Sequence, residues 1–191
     1  YIHIPWCVKK CPYCDFNSHV AKDNIPEQAY IAALIEDLKA DLHWVQGRKL
    51  HSIFIGGGTP SLFSGPAIEA ILVAAEGLIG FESDIEITLE ANPGTFEQNK
   101  FSDFRSAGIN RLSIGVQSFD DSHLNRLGRI HYAAQALRAI DCCLYTSDAA
   151  DDLRCVDLGG RRIIKKKKKT TKQKKLYSEY GCSMYTDCAR E

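Results

Sequence analysis

The chain has 191 residues, 45% of them hydrophobic, and its 24 Lys and Arg balance 24 Asp and Glu to a formal net charge of zero. That length suffices for one domain with its own core, and the charge balance predicts no overall attraction to nucleic acid or to a membrane. No apolar run approaches the roughly 20 residues needed to cross a bilayer, so a soluble, cytoplasmic protein is the expectation. The chain opens on Tyr1 inside a strand-like run and not on an initiator Met, which predicts a natural N-terminus further upstream.

Tyr1 to Ile4 reads as a short strand that runs into a loop carrying Cys7, Cys11 and Cys14. Pro5 and Pro12 argue against regular structure there, and an irregular loop lets sulfurs at this spacing converge on one point. Three thiolates can hold three irons of a 4Fe–4S cubane and leave the fourth iron open for a ligand. Zinc is the first alternative, but it usually takes four protein ligands, and only the lone His19 and His43 follow before Gln46. A disulfide framework is the second; an odd trio without a secretory leader points instead to a reducing compartment.

Further along, Tyr30, Ile31, Leu34, Ile35, Leu38, Leu42 and Val45 recur at helical spacing after Pro26, which predicts an amphipathic helix with Pro26 in its first turn, ending near Gly47. His51 to Ile55 has the form of a strand buried on both faces and stopped by Gly56, Gly57 and Gly58. Pro66 opens a second helix, Ala67 to Ile79, and Asp84 to Glu90 alternates as a third strand ended by Asn92, Pro93 and Gly94. Thr95 and Gln98 form a capping box for a helix carrying Phe101 and Phe104, with Gly108 as its stop. Arg111 to Gln117 makes a fourth strand, and Asp120 or Asp121 caps the helical segments that run toward Ile140. Strand then helix, four times over, is the pattern of an α/β fold, a partial parallel βα (TIM-like) barrel.

In such barrels chemistry gathers at the C-terminal ends of the strands. The thiol loop, the glycine turn, Glu90 and Gln117 all fall at such ends. The Gly56 to Pro60 turn lets bare backbone approach a ligand, although taken alone it could cradle a phosphate or merely turn the chain. Glu90 offers an acceptor, Gln117 a donor and an acceptor, and Arg129 a fork of donors for a carboxylate, with Arg126 as a competitor for that last role. The bland readings are a strand-end Glu that caps a helix and a solvated Arg. His3, flanked by Ile2 and Ile4, is expected to be a satisfied core histidine, and Trp6, Tyr13 and Phe16 to shield the loop from water.

The cysteine trio with Tyr13 before its last member, followed by Gly56-Gly-Gly-Thr-Pro60, resembles the radical S-adenosylmethionine (SAM) superfamily, and Cys14-Asp-Phe16 resembles its HemW heme chaperone branch. The related oxygen-independent coproporphyrinogen III oxidase carries a further cysteine where Phe16 stands. The resemblance implies a 4Fe–4S cluster on Cys7, Cys11 and Cys14, and SAM contacted by Tyr1, Tyr13, Gly57, Gly58, Thr59, Glu90, Gln117 and Arg129. It further implies heme as cargo and a heme-acceptor protein of respiratory metabolism as partner. The alternative it leaves open is an enzyme, the anaerobic oxidase that decarboxylates coproporphyrinogen III.

From Asp141 onward the character changes, with Cys142 and Cys143, an Asp148 to Asp152 run and a lysine block from Lys165 to Lys169. A basic tail for nucleic acid is the ordinary reading of such a block. However, Leu144 to Asp152 and Cys155 to Ile164 followed by lysines resemble the translation of a transposon end and sequencing-library adapter. The expected division is therefore a truncated core, 1–141, and a non-native tail, 142–191, of which 142–169 is read-through. No nucleic-acid partner follows from such a tail, and Cys142, Cys143, Cys155, Cys182 and Cys188 are not credited as ligands.

Overall fold

The computed structural model describes residues 1–22, 24–95 and 98–146. Its elements are β1 (Ile2–Ile4), β2 (Trp6–Cys7), β3 (His19–Val20), α1 (Glu27–Val45), β4 (Leu50–Gly57), α2 (Gly65–Ile79), β5 (Phe81–Ala91), α3 (Gln98–Ser106), β6 (Arg111–Ile114), α4 (Asp121–Arg126) and α5 (Ala133–Thr146). Four strands form one parallel sheet in the order β1-β4-β5-β6, and β2 and β3 form a separate parallel pair. Sheet neighbours follow chain order with helices between them, as the βα pattern requires.

Strand β4 is longer than expected: Gly56 and Gly57 belong to it, pairing with His3 and Ile4. It is buried only from Ile53 onward, while His51 and Ser52 are exposed. Strand β6 is shorter than expected and stops at Ile114. Val116 N–H donates back to Ile114 O at 2.9 Å and Ser118 N–H to Val116 O at 2.8 Å, so two tight turns replace the ladder, and Gln117 takes a left-handed φ of 61°. Gln117 therefore stands on a loop beyond the strand.

Helix α1 has all seven of its periodic apolar residues half-buried and none fully buried. It lies over α2 as an outer layer, and Pro26 occupies its N-cap position, one place before the first turn. Helix α2 is the inner one: Ala67, Ile68, Ile71, Leu72 and Ala75 are buried, with Pro66 in the first turn. Its N-terminus is held by Ser64, whose Oγ accepts from Ala67 N–H at 3.3 Å, while Glu27 of α1 accepts from both Ser64 N–H and Ser64 Oγ–H at 2.7 Å. A carboxylate is well placed there, because the amide ends of a helix carry partial positive charge.

The capping box of Thr95 and Gln98 lies outside the described side chains. Gly108 takes φ 108° just past α3, as a helix stop should. Asp120 is the cap of α4, accepting from Ser122 and His123 N–H, whereas Asp121 accepts from Ala133 N–H at the start of α5.

The core joins Ile4, Ile53, Ile55, Ile87 and Leu89 of the sheet to Ile68 and Leu72 of α2, Phe104 of α3, and Phe63. Phe63 is fully buried, with the rings of Trp6 and Tyr30 at 5.8 and 6.1 Å. Truncating Phe63→Ala in the full-length protein should cost about 3–5 kcal/mol by loss of burial and a residual cavity, read as a fall in the urea midpoint. A stability from that midpoint within about 0.5 kcal/mol of wild type would contradict this packing.

Candidate functional site

The cysteine loop is closed at its neck by the short β2–β3 pair. His19 N–H donates to Pro5 O at 2.7 Å and Ala21 N–H to Cys7 O at 2.9 Å, so the chain between Cys7 and His19 leaves and returns at one place. Inside it, Cys14 N–H donates to Cys11 O at 3.1 Å, and Lys10 Nζ donates to Phe16 O and Ser18 O at 3.2 and 3.3 Å. Cys7 is buried, Cys11 and Cys14 are half-buried, and all three thiols are free. Among the described residues no three His, Cys, Asp or Glu side chains stand close enough to hold one metal ion. A cubane asks for a different spacing, because each thiolate ligates its own iron.

The glycine turn lies directly on the chain between β1 and β2. Gly58 N–H donates to Ile4 O at 2.8 Å and Thr59 N–H to Trp6 O at 2.7 Å, and Gly57 N–H donates to Glu90 Oε2 at 3.1 Å. A Cβ at Gly58 would lie 2.5 Å from Trp6 O, and one at Gly57, where φ is 117°, would lie 2.6 Å from the His3 ring. Because the amide hydrogens of 57, 58 and 59 are all committed inside the fold, the turn cannot cradle a phosphate through them. The Thr59 carbonyl in turn accepts from Leu62 N–H at 3.0 Å.

Glu90 is half-buried next to β4, and burial raises its carboxyl pKa above the ordinary value, against the lowering effects of the Gly57 N–H and His3. His3 donates Nε2–H to Asn17 O at 2.8 Å and accepts from Tyr1 Oη at 3.0 Å. It is satisfied, as expected, but it ties the strand to the cysteine loop instead of filling the core. Tyr1 stacks on Phe54 with 6.2 Å between ring centroids, and its phenol pKa is raised by burial, then by Glu90 and Tyr30.

Arg129 reaches the loop from the opposite side. Its Nη1 donates to Cys11 Sγ and to Tyr13 Oη, each at 3.3 Å, and its Nη2 donates to Gly115 O at 2.6 Å. Its competitor Arg126 is exposed. Arg129 Nε and Gln117 Oε1 are buried without a hydrogen-bond partner, and both side chains approach Gly115. A buried donor and acceptor left unpaired are costly, so they point to a polar ligand or water at this end of the sheet.

The expected aromatic shield over the loop is not formed. Trp6 turns its ring into the core against Tyr30 at 4.7 Å and Phe63 at 5.8 Å, and Phe16 is 60% exposed. Tyr13 is 47% exposed and held at its hydroxyl by Arg129. Sequence reasoning missed His131, which is 1% exposed and donates Nε2–H to Val116 O at 3.0 Å while its Nδ1 has no partner. Only its place two residues after Arg129 could have drawn attention to it.

A family model of the radical SAM superfamily matches residues 1–144. The chain belongs to the radical SAM superfamily. Among relatives of this superfamily member, the heme chaperone HemW of Haemophilus influenzae is 61% identical over 145 residues, 74% of this chain and 38% of that protein. The heme chaperone HemW of Escherichia coli is 55% identical over 139 residues, 73% of this chain and 37% of that protein. The solved coproporphyrinogen III oxidase of Escherichia coli, a radical SAM enzyme, superposes with a TM-score of 0.70 at 26% identity, over 78% of this chain and 35% of that one. The chain thus spans under two fifths of the length of the HemW relatives, and its parallel α/β sheet is that of a radical SAM fold. No helix among the described residues is long and apolar enough to cross a membrane.

His131 gives this end of the sheet a pH dependence. Burial, then the Arg129 guanidinium, push its pKa below the ordinary 6.5, while the Val116 carbonyl and Asp121 act the other way. A histidine with a depressed folded pKa contributes stability that is present above 6.5 and lost as pH falls through its lower folded value. Urea midpoints of the full-length protein should therefore drop on acidification below 6.5, and the difference between wild type and His131→Gln should shrink over the same range. A difference that is constant with pH would contradict a buried neutral imidazole.

Proposed function

We propose that the full-length parent of this chain is a HemW-type heme chaperone that holds a 4Fe–4S cluster and SAM at the C-terminal edge of its sheet. The observation that carries this reading is the 61% identity to a heme chaperone HemW across a stretch that includes the cysteine loop. Phe16, at the place of the oxidase's further cysteine, favours the chaperone over the oxidase. Heme would be the cargo, passed to a protein of respiratory metabolism, with the work done in the cytoplasm. A second reading, the radical decarboxylation of coproporphyrinogen III, is favoured by the TM-score of 0.70 to that oxidase.

The residues present suit the two cofactors. Cys7, Cys11 and Cys14 would ligate three irons, and the fourth would take the amine and carboxylate of SAM. Once bound, the pair would supply one-electron reductive cleavage of a sulfonium. The Gly57 and Gly58 carbonyls, in the turn that Thr59 closes, and the carboxylate of Glu90 would accept the N–H hydrogens of that amine. Arg129 Nε–H, which has no partner within the fold, and Gln117 would take the carboxylate and ribose. Tyr1 and Tyr13 would flank them from the two sides of the loop.

We also propose that residues 142–191 do not belong to the native protein. The family match ending at 144 and the lysine block beginning at Lys165 support this. Independent sequencing of the source gene tests it: a fifth βα unit in place of the tail is expected, and recovery of the same tail would refute it.

Two measurements test the function. Anaerobically reconstituted full-length protein should bind heme and release it to an acceptor without altering porphyrin side chains; conversion of coproporphyrinogen propionates to vinyl groups would instead establish the enzyme. Ionised Glu90 accepts an amine N–H more strongly than the neutral acid does, and its pKa is raised, so SAM affinity should begin to fall on acidification at a pH above the ordinary 4.5. Glu90→Gln should weaken SAM binding about tenfold or more by removing a charge-assisted hydrogen bond and should flatten that pH profile in equilibrium dialysis. Wild-type affinity in the variant would remove Glu90 from the site.

A further inference from the structure

Residues 128–131 bridge α4 and α5, and each of them touches a different part of the site. Gly128 takes φ 70°, and a Cβ there would lie 3.0 Å from Pro12 Cδ, between Cys11 and Cys14 on the cysteine loop. Arg129 spans the gap that follows, from Cys11 Sγ and Tyr13 Oη to Gly115 O just beyond β6. Ile130 packs on Gly94, where a Cβ would come within 3.0 Å of its side chain, past the end of β5. His131 closes the segment on Val116 O. The segment is itself anchored: Gly128 N–H donates to Asn125 O and Arg129 N–H to Leu124 O, each at 2.9 Å, and Asp121 holds the start of α5.

We propose that residues 128–131 are a strap that positions the Cys11 thiolate, and that the Arg129 N–H on its sulfur raises the reduction potential of the cluster held there. This inference rests on the reading of Cys7, Cys11 and Cys14 as cluster ligands. The physical reason is simple: reduction adds negative charge to the cluster and its sulfurs, and a cationic donor at a ligating sulfur favours that more negative state. A half-buried guanidinium does this better than an exposed one, because water screens it less. Arginine is required because its planar fork reaches a sulfur, a phenol and a carbonyl at once, whereas a lysine is a point charge on a flexible stem. The role differs from that of a carboxylate clamp, since it uses Nη1 and Nη2 and leaves Nε–H for the ligand.

The test is a redox titration, monitored by electron paramagnetic resonance, of the full-length protein reconstituted without air and without SAM, with iron content measured alongside. Arg129→Gln should shift the reduction equilibrium about tenfold toward the oxidised cluster, which is about 59 mV for one electron. Arg129→Lys, which keeps the charge and loses the bridge, should shift it less and in the same direction. Gly128→Ala, pushed against Pro12, should lower the iron retained after reconstitution. A wild-type potential in Arg129→Gln with full iron would overturn the proposal. Should Arg129→Gln take up no iron, Arg129→Lys decides, and a wild-type potential there with full iron overturns it equally. Wild-type protein without iron would instead defeat the cluster reading, and this inference with it.

Discussion

Backbone pressed directly on backbone is the constraint from which the rest of the site follows. Gly58 and Thr59 hydrogen-bond to the carbonyls of Ile4 and Trp6, at distances that leave no room for a Cβ on Gly58. That contact fixes the start of the cysteine loop against the end of β4, and so sets where Cys7 stands relative to the glycine turn. It also uses up the turn's amide hydrogens. The same contact therefore fixes the placement of the thiols and leaves the turn no free amide hydrogen for a phosphate. At position 58 only glycine serves, because a Cβ there would lie 2.5 Å from Trp6 O.

Around this contact the polar groups fall into two sets. On the β1 and β4 side, His3 bonds to Tyr1 and to the Asn17 carbonyl, and beside them the half-buried Glu90 carboxylate accepts one backbone N–H, from Gly57. On the β6 side, Arg129 carries positive charge to Cys11, while its Nε and the Gln117 Oε1 are left buried and unpaired. A carboxylate on one side and a guanidinium on the other thus flank one thiol loop. The separation comes from the parallel sheet, which delivers every strand's end to one edge.

Much of this was legible in the chain because it is written locally. The seven apolar positions of α1 stand at helical period, and all seven are the residues that the fold half-buries. The strand-then-helix rhythm gave the parallel sheet. Strand β6 misled, since Gly115, Val116 and Gln117 continue an apolar alternation while their backbone turns back on itself twice. Phe16 and Trp6 misled for another reason: sequence says that they are aromatic and near the thiols, not which way a loop throws them. The strap was invisible because Arg129 and Cys11 are 118 residues apart, and no periodicity links two loops that meet only in the folded chain. The Glu27 cap on α2 was missed likewise, its partner Ser64 lying 37 residues away.

What the three thiols hold decides the chemistry open to this site. The most direct measurement is iron and acid-labile sulfide in the full-length protein purified without air, alongside Cys7→Ala, Cys11→Ala and Cys14→Ala. About four irons and four sulfides per chain are predicted for the wild type, with large loss of both in each single variant. Stoichiometric zinc without sulfide, or iron retained in all three variants, would contradict it.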